Sequence, residues 1–175
     1  MKEPGLIQVY TGNGKGKTTA ALGLALRAVG HGFRVLIIQF MKDNAKYGET
    51  KSATYLPGLE VVKAGRDVFV DLKNPDAVDK KLARDGWEAA RTAILSRKYQ
   101  LVILDELNVA MATGLLPVEE VEAFLRDNRR NQVEIVLTGR YAPQAILDQA
   151  DLITEMQDKK HPFTAGVPAR LGIEF

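Results

Sequence analysis

LIQVYTGNGKGKTTAA, running from Leu6 to Ala21, begins as an apolar run, breaks into alternating glycines and resumes as a helix former. Laid over the phosphate-loop pattern G-x-x-x-x-G-K-[ST], it puts Gly16, Lys17 and Thr18 on the last three positions. The first position holds Thr11 where glycine is usual, but Gly12 and Gly14 still let the backbone curl with successive N–H groups inward. Those N–H groups, the positive end of the following helix and the Lys17 ammonium form an anion site, and Thr18 offers a hydroxyl to magnesium. The dinucleotide fingerprint G-x-G-x-x-G is excluded, because after Gly12 and Gly14 the third position is Lys17. The stretch therefore reads as a triphosphate cradle rather than a plain glycine-rich turn. Its expected nucleotide contacts run from Gly12 and Asn13 through Gly14, Lys15, Gly16, Lys17 and Thr18 to Thr19.

Outward from the loop, apolar runs alternate with segments of helical period. Leu6–Tyr10, Val35–Phe40, Leu101–Leu104 and Val133–Leu137 read as buried strands, so the expected fold is α/β, P-loop NTPase-like (RecA-like), with a mainly parallel sheet covered by helices on both faces. A first helix is expected from Lys17 to Gly30, stopped by Gly30-His31-Gly32, with His31 a turn residue. Asn74-Pro75-Asp76 reads as a turn and N-cap for a helix to about Ser96, whose apolar face is Ala83, Trp87, Ala90 and Ile94. Pro117 opens a helix to about Asn128 with the stripe Val118, Val121, Phe124 and Leu125, and Pro143 opens a short one ending near Gln149. Met41–Asp76 reads as a long irregular loop at the carboxyl end of the second strand, where such sheets keep ligand contacts. No repeat or linker divides the chain, so residues 1–175 are expected to form a single domain.

LVILDE, Leu101 to Glu106, is a hydrophobic strand ending in two acids. Asp105 is the expected magnesium partner; Glu106 is a candidate to orient a water, to make a second metal contact, or to accept a hydrogen bond. Thr138-Gly139-Arg140 ends the fourth strand and QFMK ends the second, bringing Arg140 and Lys42 towards the same sheet edge. His161, after Lys159 and Lys160, is a candidate ligand contact or a solvated turn residue.

Composition narrows the chemistry. The 175 residues contain no cysteine, which removes disulfides, thiolate catalysis and iron–sulfur ligation and fits a reducing, cytoplasmic compartment. Lys and Arg total 24 against 22 Asp and Glu, in no block of either sign, so no nucleic acid or anionic membrane is implied as partner. The stretch MKEPGLIQVY lacks the long apolar run of a signal peptide and no later run approaches ~20 apolar residues, so a soluble protein is expected.

Across nearly its whole length the sequence resembles the ATP:corrinoid adenosyltransferases. The resemblance lies in TGNGKGKTTAALGLALRAVGHG, QFMK, LVILDEL, LTGR and a C-terminal KH-x-F-x-x-G ending in GIEF, in that order. It implies transfer of the 5′-deoxyadenosyl group of ATP to the reduced cobalt of a corrinoid, with tripolyphosphate leaving intact. The resemblance also implies a nucleotide reversed in the loop from Gly12 to Thr18, with its ribose facing the second substrate. Lys17 and Glu106 are then the expected catalytic residues, Gly12 to Thr19 and Arg140 the ATP contacts, and Thr18, Asp105 and Glu106 the magnesium ligands. Cobalt(I) is itself a strong nucleophile, so no serine, cysteine or general base is required.

The family also implies a homodimer and reduction of the corrinoid, for which an electron-donor flavoprotein is the expected partner. Where some members carry G-x-G-F-T-W, this chain has GRDVFV, Gly65 to Val70, leaving Phe69, with Lys42 and His161, as candidate corrinoid contacts. Longer members cover the site with an N-terminal helix, so closure here is expected from elsewhere, such as a second subunit. Two other readings compete: a P-loop kinase or ATPase in which Glu106 serves phosphoryl transfer, and a nucleotide-dependent switch protein without turnover.

Overall fold

A computed structural model describes residues 4–42, 47–67, 70–71 and 74–174. The chain runs β1 (Ile7–Thr11), α1 (Lys17–Gly30), β2 (Val35–Phe40), α2 (Gly48–Ala53), β3 (Leu59–Ala64), α3 (Ala77–Ser96), β4 (Leu101–Asp105), α4 (Leu107–Ala112), α5 (Val118–Asp127), β5 (Glu134–Thr138), α6 (Gln144–Leu147) and β6 (Leu152–Glu155), then a short 3₁₀ turn at Pro162–Ala165. The six strands form one sheet in the order β3-β2-β4-β5-β1-β6, and every pairing is parallel. Among the described residues no helix is long and apolar enough to cross a membrane.

Alternation along the strands builds two cores. Leu36, Ile38 and Phe40 of β2, Val102 and Leu104 of β4 and Ile135 and Leu137 of β5 face a layer containing Trp87, Ala90 and Ile94 of α3 and Val121 and Leu125 of α5. Val35, Ile37, Leu101, Ile103 and Val136 point the other way, against Ala21, Ala25 and Ala28 of α1. That alanine stripe recurs at helical spacing and lets α1 lie close to the strands. Glu120 on α5 accepts from Trp87 Nε1 at 2.8 Å and from Arg84, satisfying the buried indole.

Two strands depart from the sequence expectation. Met41–Asp76 is not irregular throughout, since it contains α2 and β3, and β6 adds a strand beyond β1. Both new strands are sheet edges. β3 reads LEVVKA with Glu60 and Val62 exposed, and all four residues of β6 are exposed, so neither shows the continuous apolar run of a strand buried on two faces. Asp76 does occupy the N-cap position of α3, but its carboxylate makes no capping bond; it pairs with Arg66 at 2.7 Å, beside the Arg66–Asp79 contacts.

Parallel pairing puts all the carboxyl ends at one edge, where the four inner strands share an exit. The residue directly after each has positive φ: Gly12 after β1 (93°), Met41 after β2 (57°), Glu106 after β4 (64°) and Gly139 after β5 (127°). Each turn swings the following residue out of the sheet plane and over the same edge. Met41 and Glu106 do so without glycine's freedom, at a cost of about 1 kcal/mol or more each.

Helix α3 packs tightly on β2 and β3 at Gly86, where an added Cβ would lie 2.5 Å from Ala64 Cβ and 3.2 Å from Phe40 Cε1. Gly86→Ala would gain about 1 kcal/mol of helix propensity, yet overpacking of this kind costs about 1–3 kcal/mol. The substitution is expected to lower the urea unfolding midpoint, and to do less damage in an Ala64→Gly background because the opposing methyl is gone. An equal or higher midpoint for Gly86→Ala in the native background would refute the close approach.

Candidate functional site

The loop between β1 and α1 leans on the chain that leaves β6. Gly14 N–H donates to Met156 O at 2.6 Å, and a Cβ on Gly12 or Gly14 would lie 2.4 Å from Met156 O or 2.6 Å from Gln157 O. These glycines therefore admit a neighbouring backbone, and the Gly14 N–H is spent on it, which corrects the expectation that successive loop N–H groups all face an anion. Lys17 is buried, with Nζ donating to Gly12 O and Gly14 O, each at 2.7 Å. Burial holds its ammonium below the usual lysine range, against the Glu106 charge and with that of Arg140. Lys15 points elsewhere, with Nζ 2.9 Å from Glu174 Oε1 and 3.3 Å from Ile173 O. Asn13 and Thr19 are exposed.

Asp105, at the end of β4 and 1% exposed, gathers four donors from three neighbouring elements. Oδ1 accepts from Thr18 Oγ1 at 2.8 Å and Thr138 Oγ1 at 2.7 Å. Oδ2 accepts from Lys42 Nζ at 2.8 Å and Gln39 Nε2 at 3.2 Å. Burial alone would raise this carboxyl, but the Lys42 ammonium and the hydroxyls outweigh it and hold it below the usual carboxylate range. Glu106 moves the opposite way: burial raises it, with Lys42 3.9 Å off working against the rise and Asp105 adding to it. Its backbone N–H donates to Thr138 Oγ1 at 3.0 Å, so one threonine steadies both acids.

Lys42, the expected corrinoid contact, is tied to the acid pair and also borders the cavity described below. Burial would lower its ammonium, yet Asp105 and Glu106 together hold it above the usual lysine range. Arg140 is exposed just beyond Gly139, whose carbonyl is held by Asn108 Nδ2 at 3.2 Å, and its charge acts on both Lys17 and Glu106. His161 caps the 3₁₀ turn, its Nδ1 accepting from Phe163 N at 3.2 Å, so that ring nitrogen is engaged locally. Phe69 lies outside the described residues.

Gln39, Thr138 and Asn108 were given no role by sequence reasoning. Their signal was a polar residue fully buried at the carboxyl end of an apolar strand, or in the helix that follows it, within the motifs QFMK, LTGR and LVILDEL.

A cavity of about 680 Å³ opens beside the loop. Its lining joins Thr18, Thr19 and Lys42 to Leu22 and Leu26 of α1, to Tyr47, Gly48, Glu49 and Ser52 around α2, to Leu56 and Leu59, and to Gly172, Ile173 and Glu174 of the tail. Both the second strand's following segment and the C-terminal tail therefore border the phosphate loop. Among the described residues no group of three or more His, Cys, Asp or Glu could by itself hold a metal. One hydroxyl and two carboxylates, all hard oxygen donors, instead fit a magnesium ion that keeps waters and shares phosphate oxygens with a nucleotide.

The solved structure of the flagellar accessory protein FlaH from Methanocaldococcus jannaschii superposes with a TM-score of 0.62 over 87% of this chain and 71% of that one, at 12% identity, a likeness of fold alone. In sequence, the Corrinoid adenosyltransferase of Escherichia coli K12 is 39% identical over 99% of this chain and 87% of its own length. Corrinoid adenosyltransferase CobA of Salmonella typhimurium is 38% identical over 100% and 88%, and the Pseudomonas aeruginosa protein of the same description is 35% identical over 99% and 85%. The family described as ATP:corrinoid adenosyltransferase BtuR/CobO/CobP matches residues 3–175, taking in the loop, the acid pair and the tail that walls the cavity, and this chain belongs to it.

Proposed function

We propose that this protein transfers the 5′-deoxyadenosyl group of ATP to the cobalt(I) of a reduced corrinoid and releases tripolyphosphate. The observation that carries the reading is the extent of the family match, residues 3–175, which takes in every element that borders the cavity. The cobalt(I) electron pair forms the bond to the ribose 5′ carbon as the carbon–oxygen bond to the α-phosphate breaks, and that bonding pair leaves on the phosphate oxygen. All three phosphates depart as one anion.

The chain's task is then to align and to stabilise. Holding cobalt, carbon and leaving oxygen in line is worth up to ~7–11 kcal/mol in well-oriented systems. Lys17 and the N-terminus of α1 stabilise charge growing on the tripolyphosphate, Arg140 adds its field from beyond β5, and Lys15 exchanges Glu174 for phosphate. Thr18, Asp105 and Glu106 would hold magnesium, whose positive charge offsets that of the leaving group. The nucleotide lies with its ribose towards the cavity, where Leu22, Leu26, Leu56 and Leu59 offer apolar area to a broad ring. A flavoprotein reductant, a homodimeric assembly and a cytoplasmic setting belong to the same proposal.

Phosphoryl transfer is the competing chemistry, and Glu106 is the observation in its favour: a carboxyl raised by burial, within the field of Lys17, suits a base for water. Product identity separates the two. ATP, magnesium and chemically reduced cobalamin are expected to yield tripolyphosphate and a light-sensitive cobalt–carbon product; ADP with inorganic phosphate would overturn the transfer reading.

Lys17→Ala removes the most buried cation of the clamp. It is expected to lower kcat/KM for ATP by about a hundredfold or more, with the thermal midpoint checked to separate lost chemistry from lost fold. Turnover at the wild-type rate would refute the clamp.

A further inference from the structure

An ionised carboxylate accepts about four hydrogen bonds, and Asp105 already has four donors: Thr18, Thr138, Gln39 and Lys42. A metal ion can reach this carboxylate only if a donor leaves. Thr138 and Gln39 are fully buried and committed elsewhere: Thr138 Oγ1 accepts from the Glu106 N–H, and Gln39 donates to Glu49 Oε1 at 3.0 Å while accepting from Lys63. Thr18 belongs to the same oxygen set as the metal. That leaves Lys42.

Its surroundings suit departure. Lys42 is among the residues lining the cavity and its side chain is partly exposed, so open space adjoins it for the ammonium to swing into. The backbone stays behind: a Cβ on Gly65 would lie 2.3 Å from Lys42 N, so the two chain segments are packed in direct contact there. Glu106 Oε1, 3.9 Å from Nζ, offers a second acidic partner on the way. A monovalent ammonium and a divalent ion cannot both sit against one carboxylate without strong mutual repulsion.

We propose that Lys42 is a resident cation occupying the metal's place on Asp105, exchanged for a divalent ion only when that ion arrives with nucleotide phosphates. The released ammonium then turns to the incoming phosphates. Without phosphate oxygens the bare ion gains too little from the protein's few oxygen donors to displace Lys42, whereas the ion with its triphosphate brings the Lys42 charge a new partner. Lys42 is by this account a positioning residue that sets the order of loading: metal with nucleotide, never metal first. The inference takes from the proposed function only the placing of the metal at Thr18 and Asp105.

The test reads metal occupancy, not turnover. Manganese(II) is titrated into the full chain without nucleotide or corrinoid, and free ion is followed by electron paramagnetic resonance. Wild type and Lys42→Arg are expected to bind it weakly. Lys42→Met is expected to bind it at least about tenfold more tightly, and the gain is expected to vanish in Lys42→Met/Asp105→Asn. Lys42→Gln, which keeps a hydrogen-bond donor without the charge, guards against misfolding of the methionine variant and should also tighten binding. Unchanged or weaker binding in both folded neutral variants overturns the exchange, as does a gain that survives Asp105→Asn. A protein that transfers the deoxyadenosyl group yet shows no such gain keeps its function and loses this inference; one that shows the gain but makes ADP keeps the inference and loses the function.

Discussion

A single buried carboxylate, Asp105, joins the parts of this site. Taking an ionised group out of water costs several kcal/mol unless its lone pairs are met, and removing one partner from such a group is far more damaging than never having built it. Asp105 is met from three sides: Thr18 at the start of α1, Gln39 and Lys42 at the end of β2, and Thr138 at the end of β5. The bond from Thr18 ties the phosphate loop to the sheet at its helix end. The bond to Thr138 continues to the Glu106 N–H, so the neighbouring acid is fixed by the same hydroxyl. Movement of the loop, of the β2 exit or of the β5 exit is therefore felt at one pair of oxygens.

Such convergence is possible only because the strands run the same way. In the order β3-β2-β4-β5-β1-β6, β4 lies between β2 and β5, while β5 lies between β4 and β1. The acid strand is thus flanked directly by two of its donor strands, and the loop reaches it across the width of β5. That one-strand gap is bridged by the first turn of α1 rather than by a loop side chain. The left-handed exits at Gly12, Met41, Glu106 and Gly139 act in concert with this spacing, since each turns the chain over the edge instead of continuing the pleat. Backbone strain at Met41 and Glu106 sits beside the groups that would meet a ligand, where a rigid surrounding sheet can hold it.

Much of this was legible in the sequence because buried parallel strands leave an unmistakable trace. VLIIQF is apolar on both faces, apart from the Gln39 that Asp105 uses, and the four inner strands and helices α1, α3 and α5 lie within a residue or two of where periodicity puts them. The edges were not legible. β3 and β6 have one or both faces open to solvent, so LEVVKA and LITE carry charges and lack the long apolar run that marked the others. Side-chain roles were harder still. Lys42 follows an apolar strand as many surface lysines do, and only three-dimensional pairing shows that its ammonium turns inward to Asp105. Gln39 and Thr138 could have been suspected, because a polar residue inside a fully buried strand demands a partner. Nothing local distinguished Lys15, whose partner Glu174 is 159 residues away.

The threonine at the loop's first position now has a physical account. Thr11 is still in β1, in register with Glu155 of β6, and its carbonyl accepts from Met156 N at 2.9 Å. An extended residue needs no glycine; the left-handed turn that needs one falls a residue later, at Gly12. The same β6 exit that pairs with Thr11 accepts the Gly14 N–H and forbids a side chain on Gly12 or Gly14. Beyond it the chain returns as the tail, where Glu174 meets Lys15 and Gly172 to Glu174 line the same cavity as Thr18 and Thr19. The cradle is therefore built by both ends of the chain: the first strand and helix present the anion-holding groups, and the last strand with its tail limits how the loop can bend. A change in β6, remote from the Gly-Lys-Thr signature in sequence, acts on the loop as directly as a change within it.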